Sequence, residues 1–364
     1  MKSSTGGTPI RVLHIGPRVA DSGGMASVIS ELIRADVAGI SSSAITSWSP
    51  GAGLWSLPLA IEAMRCVRKH ARDPEPLVVH VHIAERGSLL REGAVAIASA
   101  SMGVATVITL HGAELSFAGW SRRLLTAVVK RVDRVYCLGP SNAKDVEGLG
   151  TRTEVRVIFN PVNVDPEWPP PDQLAPSADH LVLFAGEVGV RKGFDVLADA
   201  WSRVTTADPS ARLLVCGPQH RSFPIAAVDH ASSMEYLGVL PRDELGALMA
   251  RVDLVCLPSR AEVLPMVLLE ALTVGTRVLY TRVGEYQQFE GGPGVTLIDP
   301  DSTAAVLADA IRAQLGSRQS QSERREVGRW WASRASREVV LALLRDDYRQ
   351  ILRAKKAPHA RADR

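Results

Sequence analysis

The sequence predicts two consecutive α/β domains, each a parallel sheet with helices on both faces. Three observations lead there. Short runs that are apolar from end to end alternate with helical patterns along the whole chain, as strands do when crossover helices cover both sides of their sheet. A stretch with five prolines, PEWPPPDQLAPSADH (166–180), separates these runs into two sets. The 364 residues suit two domains of ordinary size.

The first set of strands is IRVLHIG (10–16), LVVHVHI (77–83), ATVITL (105–110), RVYCLG (134–139) and VRVIF (155–159). The second is LVLFAG (181–186), RLLVCG (212–217), MEYLG (234–238), DLVCLPS (253–259), RVLYT (277–281) and VTLID (295–299). MASVISELI, after Gly23-Gly24, carries a helical pattern. The longest uncharged run, Gly93 to Leu110, raises the question of a membrane span. It is rich in Ala, Ser and Thr and broken by Met102-Gly103, so a helix followed by a buried strand explains it better. WSRRLLTAVVKRVDRVY (120–136) is helical to about Val132 and mixes apolar residues with Arg122, Arg123, Lys130, Arg131 and Arg134, the composition of an interfacial helix. Proline cannot donate a ladder hydrogen bond, and a run of prolines favours an extended chain. The expected organisation is therefore a first domain over 1–165, a linker over 166–180, a second domain over 181–335 and a closing segment over 336–364.

With 46% hydrophobic and 22% charged residues the chain is globular rather than disordered. Cys66, Cys137, Cys216 and Cys256 have no CxxC spacing and read as reduced core residues of a cytoplasmic protein, not as a disulfide set or a zinc site. MKSSTGGTP has no apolar signal-peptide core. Charge is uneven: 18 Lys/Arg against 14 Asp/Glu in residues 1–165, 11 against 19 in 166–317, and 13 against 6 in 318–364. Basic ends around an acidic middle fit either a face that attracts anions or ordinary solvated helices.

In such sheets ligands bind outside the carboxyl ends of the strands. Gly16-Pro17, Gly23-Gly24, His111-Gly112, Asn160-Pro161, Gly186 and Glu262 all fall there. The most telling stretch is SRAEVLPMVLLEAL (259–272). Proline is favoured in the first turn of a helix, so a helix starts near Leu264 or Pro265 and Glu262 lies in the loop before it. Glu270 then sits in the second turn, among Leu268, Leu269, Ala271 and Leu272. A carboxylate in so apolar a helix needs partners. The vicinal hydroxyls of a ribose would serve, and so would a core arginine; spacing alone leaves both open. The helix start can hold a phosphate through its free N–H groups and dipole, with Glu262 beside the anion and free to accept from neutral hydroxyls. Together these features fit a diphosphate with a sugar at each end. GEVGVRKG (186–193) follows a strand and opens a helix, and its Arg191-Lys192 supplies cations for phosphate. It lacks both GxGxxG and the P-loop pattern, which argues against a dinucleotide oxidoreductase.

Taken in order, DSGGMASV, TLHGAE, VIFNPVNVD, LFAGEVGVRKGFDVL and PSRAEVLPMVLLEALTVGTRVL make the chain similar to the retaining glycosyltransferases of family 4, over about residues 10–350. VVHVHIAERGSLLR and TLHGAE resemble bacterial transferases of polysaccharide assembly. The resemblance implies the GT-B fold, two Rossmann-like domains facing across a cleft, with the last helix (about Arg337 to Ala354) crossing back to the first domain. It implies that Glu270 binds the ribose of the nucleotide and that Glu262, one member of the family's E-x7-E element, orients the donor sugar. Lys192 would bind the diphosphate with backbone N–H groups near Leu264, Pro265 and Met266, while Gly23, Gly24 and Gly186 allow close approach and Arg191 assists. His111 would lie near the donor sugar, so the expected catalytic set is Glu262, His111 and Lys192.

Three positions depart from the family pattern. Glu187 stands where arginine is usual, Val263 where glycine is common, and GEYQQF (284–289) replaces a GGxxE run. Either Glu187 points away and Arg191 substitutes, or the phosphate clamp is weakened.

The expected reaction moves a sugar from a nucleoside diphosphate to an acceptor hydroxyl with retention, the acceptor being lipid-linked or a saccharide. The partners would be the nucleotide sugar, the acceptor and an anionic membrane surface on the inner face of the plasma membrane, and no nucleic acid. "DPD" (299–301) lies far from the motifs and no DxD ends a strand, so no cofactor and no essential metal are expected. The rival readings are a nucleotide-sugar epimerase on the same fold and a nucleotide-sugar-binding protein without turnover.

Overall fold

The computed structural model of the protein describes residues 9–20, 23–34, 37, 39–49, 57–84, 86–112, 119–163, 179–223 and 233–356. Most of the expected linker lies outside the described residues, as do Asp21-Ser22 of DSGGMASV and Ala113-Glu114 of TLHGAE. The chain divides into two compact units, one running to Pro161 and resuming at Arg337, the other Val162–Ser336.

The first unit contains β1 (Ile10–Pro17), α1 (Gly24–Arg34), β2 (Ile40–Trp48), α2 (Leu57–His70), β3 (Leu77–Ile83), α3 (Arg86–Ser101), β4 (Ala105–Leu110), α4 (Trp120–Val129), β5 (Arg134–Cys137), α5 (Pro140–Glu147) and β6 (Glu154–Val157). Its sheet is parallel throughout, in the order β2-β1-β3-β4-β5-β6. β2 is a strand that the apolar-run criterion misses: ISSSAITSW is serine-rich because it is a half-buried edge strand with little core to face. The uncharged run from Gly93 resolves into the end of α3 and β4. Among the described residues no helix is long and apolar enough to cross a membrane.

Side chains alternate across the strands, and the two faces of this sheet differ in chemistry. Leu13 and Ile15 of β1, Val79 and Val81 of β3, Ile108 of β4 and Val135 of β5 enter an apolar core with α2, α3, α4 and α5. The neighbouring positions, His14, His80, His82, Thr109 and Tyr136, occupy the other face and are buried too. β1 pairs His14 with His80, and β4 pairs Thr109 with His82 and Tyr136.

The second unit contains β7 (His180–Ala185), a single 3-10 turn (Val190–Lys192), α6 (Phe194–Ala207), β8 (Ala211–Cys216), β9 (Met234–Gly238), α7 (Arg242–Arg251), β10 (Leu254–Leu257), α8 (Met266–Thr273), β11 (Arg277–Thr281), β12 (Val295–Ile298), α9 (Ala304–Leu315) and α10 (Gln321–Ala335). Its parallel strands run in the order β12-β11-β10-β7-β8-β9. The chain builds outward from β7 in one direction and then, from β10, in the other. The crevice between β7 and β10 is the topological switch point, where an open α/β sheet leaves room for a ligand at its carboxyl edge.

The closing helix, α11 (Arg337–Lys356), belongs to the first unit and covers the polar face of its sheet. Buried Asp347 takes Arg134 at 3.0 Å, the Tyr136 hydroxyl at 3.1 Å and Arg156. Tyr348 bonds to His80 at 2.6 Å. α4 ends at Val129, a turn before the expected Val132, and Arg134 is a buried strand residue committed to Asp347 and Glu154, so its charge is not part of an interfacial surface. Exposed Arg122 and Arg123 follow Trp120, itself 54% exposed, at the start of α4, and exposed Lys130 and Arg131 lie just past its other end.

Candidate active site

Two loops meet at the switch point of the second unit, Gly186–Gly193 after β7 and 258–265 after β10. Several bonds hold them together. The Arg260 amide donates to Arg191 O at 2.9 Å, and its guanidinium grips Asp195 through two bonds of 2.6 and 2.8 Å and also reaches Val190 O. Gly193 adopts the left-handed conformation, φ 72°, and a Cβ there would lie 1.8 Å from Pro258 O. Only glycine allows that turn against that strand end. Gly186 (φ 157°) packs under the Lys192 side chain, and Gly217, at the end of β8, approaches so closely that a Cβ would sit 1.9 Å from Gly186 O.

The crossing of these loops brings Lys192 onto Glu262. Nζ bonds to Oε1, Ser259 Oγ donates to the same oxygen at 3.1 Å, and Arg191 stands 3.8 Å away. Both side chains are largely covered, 14% exposed for Lys192 and 10% for Glu262. Glu262 Oε1 thus accepts from a cation and a hydroxyl at once. A desolvated carboxylate is stable on those terms. Glu187 does not point away from the site; its carboxylate lies 3.3 Å from the Arg191 guanidinium and 3.9 Å from the His220 ring. Arg191 is therefore paired with Glu187 rather than a free substitute for the arginine usual at that position.

The helix begins one residue later than expected. Pro265 is the N-cap of α8, extended at φ −68° and ψ 120°, and Met266 is its first residue. Leu264 and Pro265 are buried ahead of it. Pro265 has no N–H to offer, so its part is to end the loop, and the donors at this helix start come from Met266 onward. The Glu262–Val263 stretch is clamped from β11's side: Glu285 N donates to Val263 O at 2.8 Å, and a Cβ on Gly284 (φ 60°) would lie 2.3 Å from Glu262 O. GEYQQF thus supports the loop that carries Glu262.

Glu270, in the second turn of α8 as expected, is 12% exposed and bonds to Arg242 Nη2 at 2.9 Å. Of the two partners left open by the sequence, an arginine is present. It is a 34% exposed residue at the start of α7, not a core one. Its recruitment follows from α7 packing beside α8, which no local pattern announces.

In the first unit, Gly23 (φ 137°) and Gly24 precede and open α1, and a Cβ at either would meet open space. His111 follows β4. Its amide donates to Ile83 O at 2.6 Å, its ring bonds to His82 at 2.9 Å, and a Cβ on the next residue, Gly112, would lie 2.2 Å from Ala84 O. The HG pair therefore marks a place where the chain crosses the end of β3 too closely for any side chain.

The family comparisons coincide with these units. The model described as Glycosyltransferase Family 4 matches residues 12–166, and the one described as Glycosyl transferases group 1 matches 179–317. The chain is a family 4 glycosyltransferase. Among the relatives of this glycosyltransferase is the glycogen synthase of Mycobacterium tuberculosis, 26% identical over 321 residues, spanning 80% of this chain and 75% of that protein. The phosphatidyl-myo-inositol mannosyltransferase of Mycobacterium leprae is 31% identical over 194 residues, covering 51% of this chain and 50% of its own. Among solved structures, Anabaena HepE in complex with UDP superposes with a TM-score of 0.72 at 17% identity, over 93% of this chain and 100% of that one. A Rickettsia africae glycosyltransferase superposes with a TM-score of 0.72 at 16% identity, over 95% and 99%. The transferase shares their fold of two Rossmann-like domains.

Proposed function

We propose that this glycosyltransferase moves a sugar from a nucleoside-diphosphate sugar to an acceptor hydroxyl with retention at the anomeric carbon, and that the diphosphate and its nucleoside are held at the β7/β10 switch point. The observation that carries the reading is the Lys192–Glu262 pair on the two joined loops, with Glu270 in the second turn of the helix those loops lead into. A phosphate at the start of α8 meets N–H groups and a positive dipole end. Lys192 is within reach of the same place and shares its charge between Glu262 and the diphosphate. As the glycosidic bond breaks, negative charge grows on the leaving diphosphate, and a cation and helix dipole already fixed there favour that state over the ground state. Glu262 orients the sugar through its hydroxyls, and Glu270 accepts from the ribose hydroxyls beside Arg242. The leaving diphosphate helps deprotonate the acceptor on the same face, so Glu262 is not the nucleophile that a retaining glycosidase would use. This route needs no metal.

The complex of HepE with UDP supports a nucleotide donor by analogy of fold. Exposed Trp120, Arg122, Arg123, Lys130 and Arg131 support an acceptor that is lipid-linked and presented at the anionic inner face of the plasma membrane, in polysaccharide or glycolipid assembly. The test is a thermal-shift screen of UDP-, GDP- and ADP-sugars on the wild type, Glu262→Gln and Glu270→Gln, followed by product analysis with the donor that binds. Glu270→Gln is expected to weaken the nucleotide, losing roughly 1.5–3 kcal/mol, and Glu262→Gln to lower turnover. Wild-type values in both variants would refute the site.

A further inference from the structure

The crevice between β7 and β10 is crowded with charges of both signs. Lys192 bonds to Glu262 Oε1, Ser259 Oγ donates to the same oxygen at 3.1 Å, and Arg191 stands 3.8 Å from it. Arg191 also lies 3.3 Å from Glu187. The two cations of the Gly186–Gly193 loop are thus matched by two carboxylates. A diphosphate gains little net attraction there unless one of these pairs parts.

The two pairs differ in what parting them leaves behind. Arg191 is exposed and Glu187 half-buried, so water can take over from either partner. Lys192 and Glu262 are both largely covered, and removing the lysine leaves a poorly hydrated carboxylate without its cation. One hydroxyl stays with it. Ser259 is wholly buried at the end of β10, and its carbonyl accepts from Thr281 Oγ1 of β11, so its hydroxyl is fixed on Oε1 independently of the lysine. Both bonds fall on one oxygen. Among the described residues no hydrogen bond reaches Glu262 Oε2, and Lys192 Nζ bonds to Glu262 alone.

We infer that Glu262 competes with the diphosphate for Lys192, and that Ser259 is the positioning residue that keeps the carboxylate in place when the lysine turns to the ligand. The inference rests on the transfer reaction proposed above and on the second unit only. A nucleotide sugar brings hydroxyls that donate to Oε2 and offset the loss of the lysine. The nucleoside diphosphate left after transfer has no sugar to do so, and Glu262 draws Lys192 back. The pair therefore favours donor over product and speeds the product's departure, an interaction that differs between two states of the ligand rather than holding both equally.

The test is calorimetry with the nucleotide sugar that the thermal-shift screen selects and with the nucleoside diphosphate it leaves, on wild type, Glu262→Gln, Lys192→Ala and the double variant. Glutamine keeps the shape of Glu262 and removes its charge. Glu262→Gln is expected to bind the nucleoside diphosphate about fivefold tighter and to lose about tenfold in its preference for the nucleotide sugar over that product. In the Lys192→Ala background the same change should not tighten the diphosphate at all. Tightening that persists there would come from plain repulsion between carboxylate and phosphate, and would overturn the exchange. Ser259→Ala is expected to lower kcat about fivefold with donor KM within about twofold, and to cost nothing further once Glu262 is Gln. Equal losses from Ser259→Ala in both backgrounds would overturn its positioning role. A diphosphate that binds through Lys192 but is not tightened by Glu262→Gln would overturn the exchange alone. A diphosphate indifferent to Lys192→Ala would overturn the phosphate site itself, and the exchange with it.

Discussion

Acidification is expected to destabilise the first unit steeply between pH 7 and pH 5, well before ordinary carboxylates titrate. His14 lies beneath α11 and its pKa is pushed down to about 3 by burial, against about 6.5 in an unfolded chain. A depressed histidine pKa means that the unfolded state binds more protons, so stability is present above the unfolded value and falls as pH drops below it. At pH 5 the unfolded imidazole gains RT ln(1 + 10^1.5), about 2 kcal/mol, while the folded one gains almost nothing. Burial lowers His80 and His82 well below the ordinary range as well, so they act in the same direction. Buried Glu92, whose pKa is raised by burial, works the other way nearer pH 4.5. The assay is urea titration at pH 7, 6 and 5, followed through hydrogen exchange of the β3 amides so that only the first unit is read. His14→Gln removes one linked proton and should lose about 2 kcal/mol less than wild type over this range. Parallel curves for the two proteins would show that His14 is not buried as a neutral imidazole, and the reasoning would fail.

Lys192→Ala is expected to weaken a nucleoside diphosphate at least tenfold while leaving the nucleoside nearly unchanged, with a smaller effect from Arg191→Ala; calorimetry showing equal losses for the two ligands would remove Lys192 from the phosphate site. Glu187→Gln releases Arg191 from its 3.3 Å partner and is expected to tighten the diphosphate by about 1 kcal/mol, roughly fivefold, so unchanged or weaker binding would mean that Glu187 does not compete with the ligand. Sedimentation with vesicles should show binding that rises with anionic lipid, falls with salt and drops when Arg122, Arg123, Lys130 and Arg131 become Ser, each contributing about 1 kcal/mol near the surface. No binding to any vesicle would point to a soluble acceptor.

The fold and the outline of the site were legible in the sequence because both rest on local signals. A strand buried on both faces must be apolar along its length, so inner strands such as β3, β4, β5 and β10 stand out as runs, while serine-rich β2, at an edge, does not. Pro265 marks a helix start through its own ring geometry, which separated loop-borne Glu262 from helix-borne Glu270. What the tertiary structure decided are the partners. Lys192 and Glu262 are 70 residues apart, and Arg242 and Glu270 are 28 apart; they meet because β7 and β10 are neighbours and α7 packs by α8, facts of strand order rather than of spacing. The same holds for Gly193, required by a carbonyl 65 residues further on, and for Gly284, pressed against the Glu262 loop. The histidine chain shows the division most clearly. LHIG, HVHI and TLHG are each unremarkable as strands, and alternation alone puts His14, His80 and His82 on one side; only the register of β1 and β3 and the end of β4 bring their rings to within hydrogen-bonding distance, since a sequence states period and burial but not which strands lie side by side.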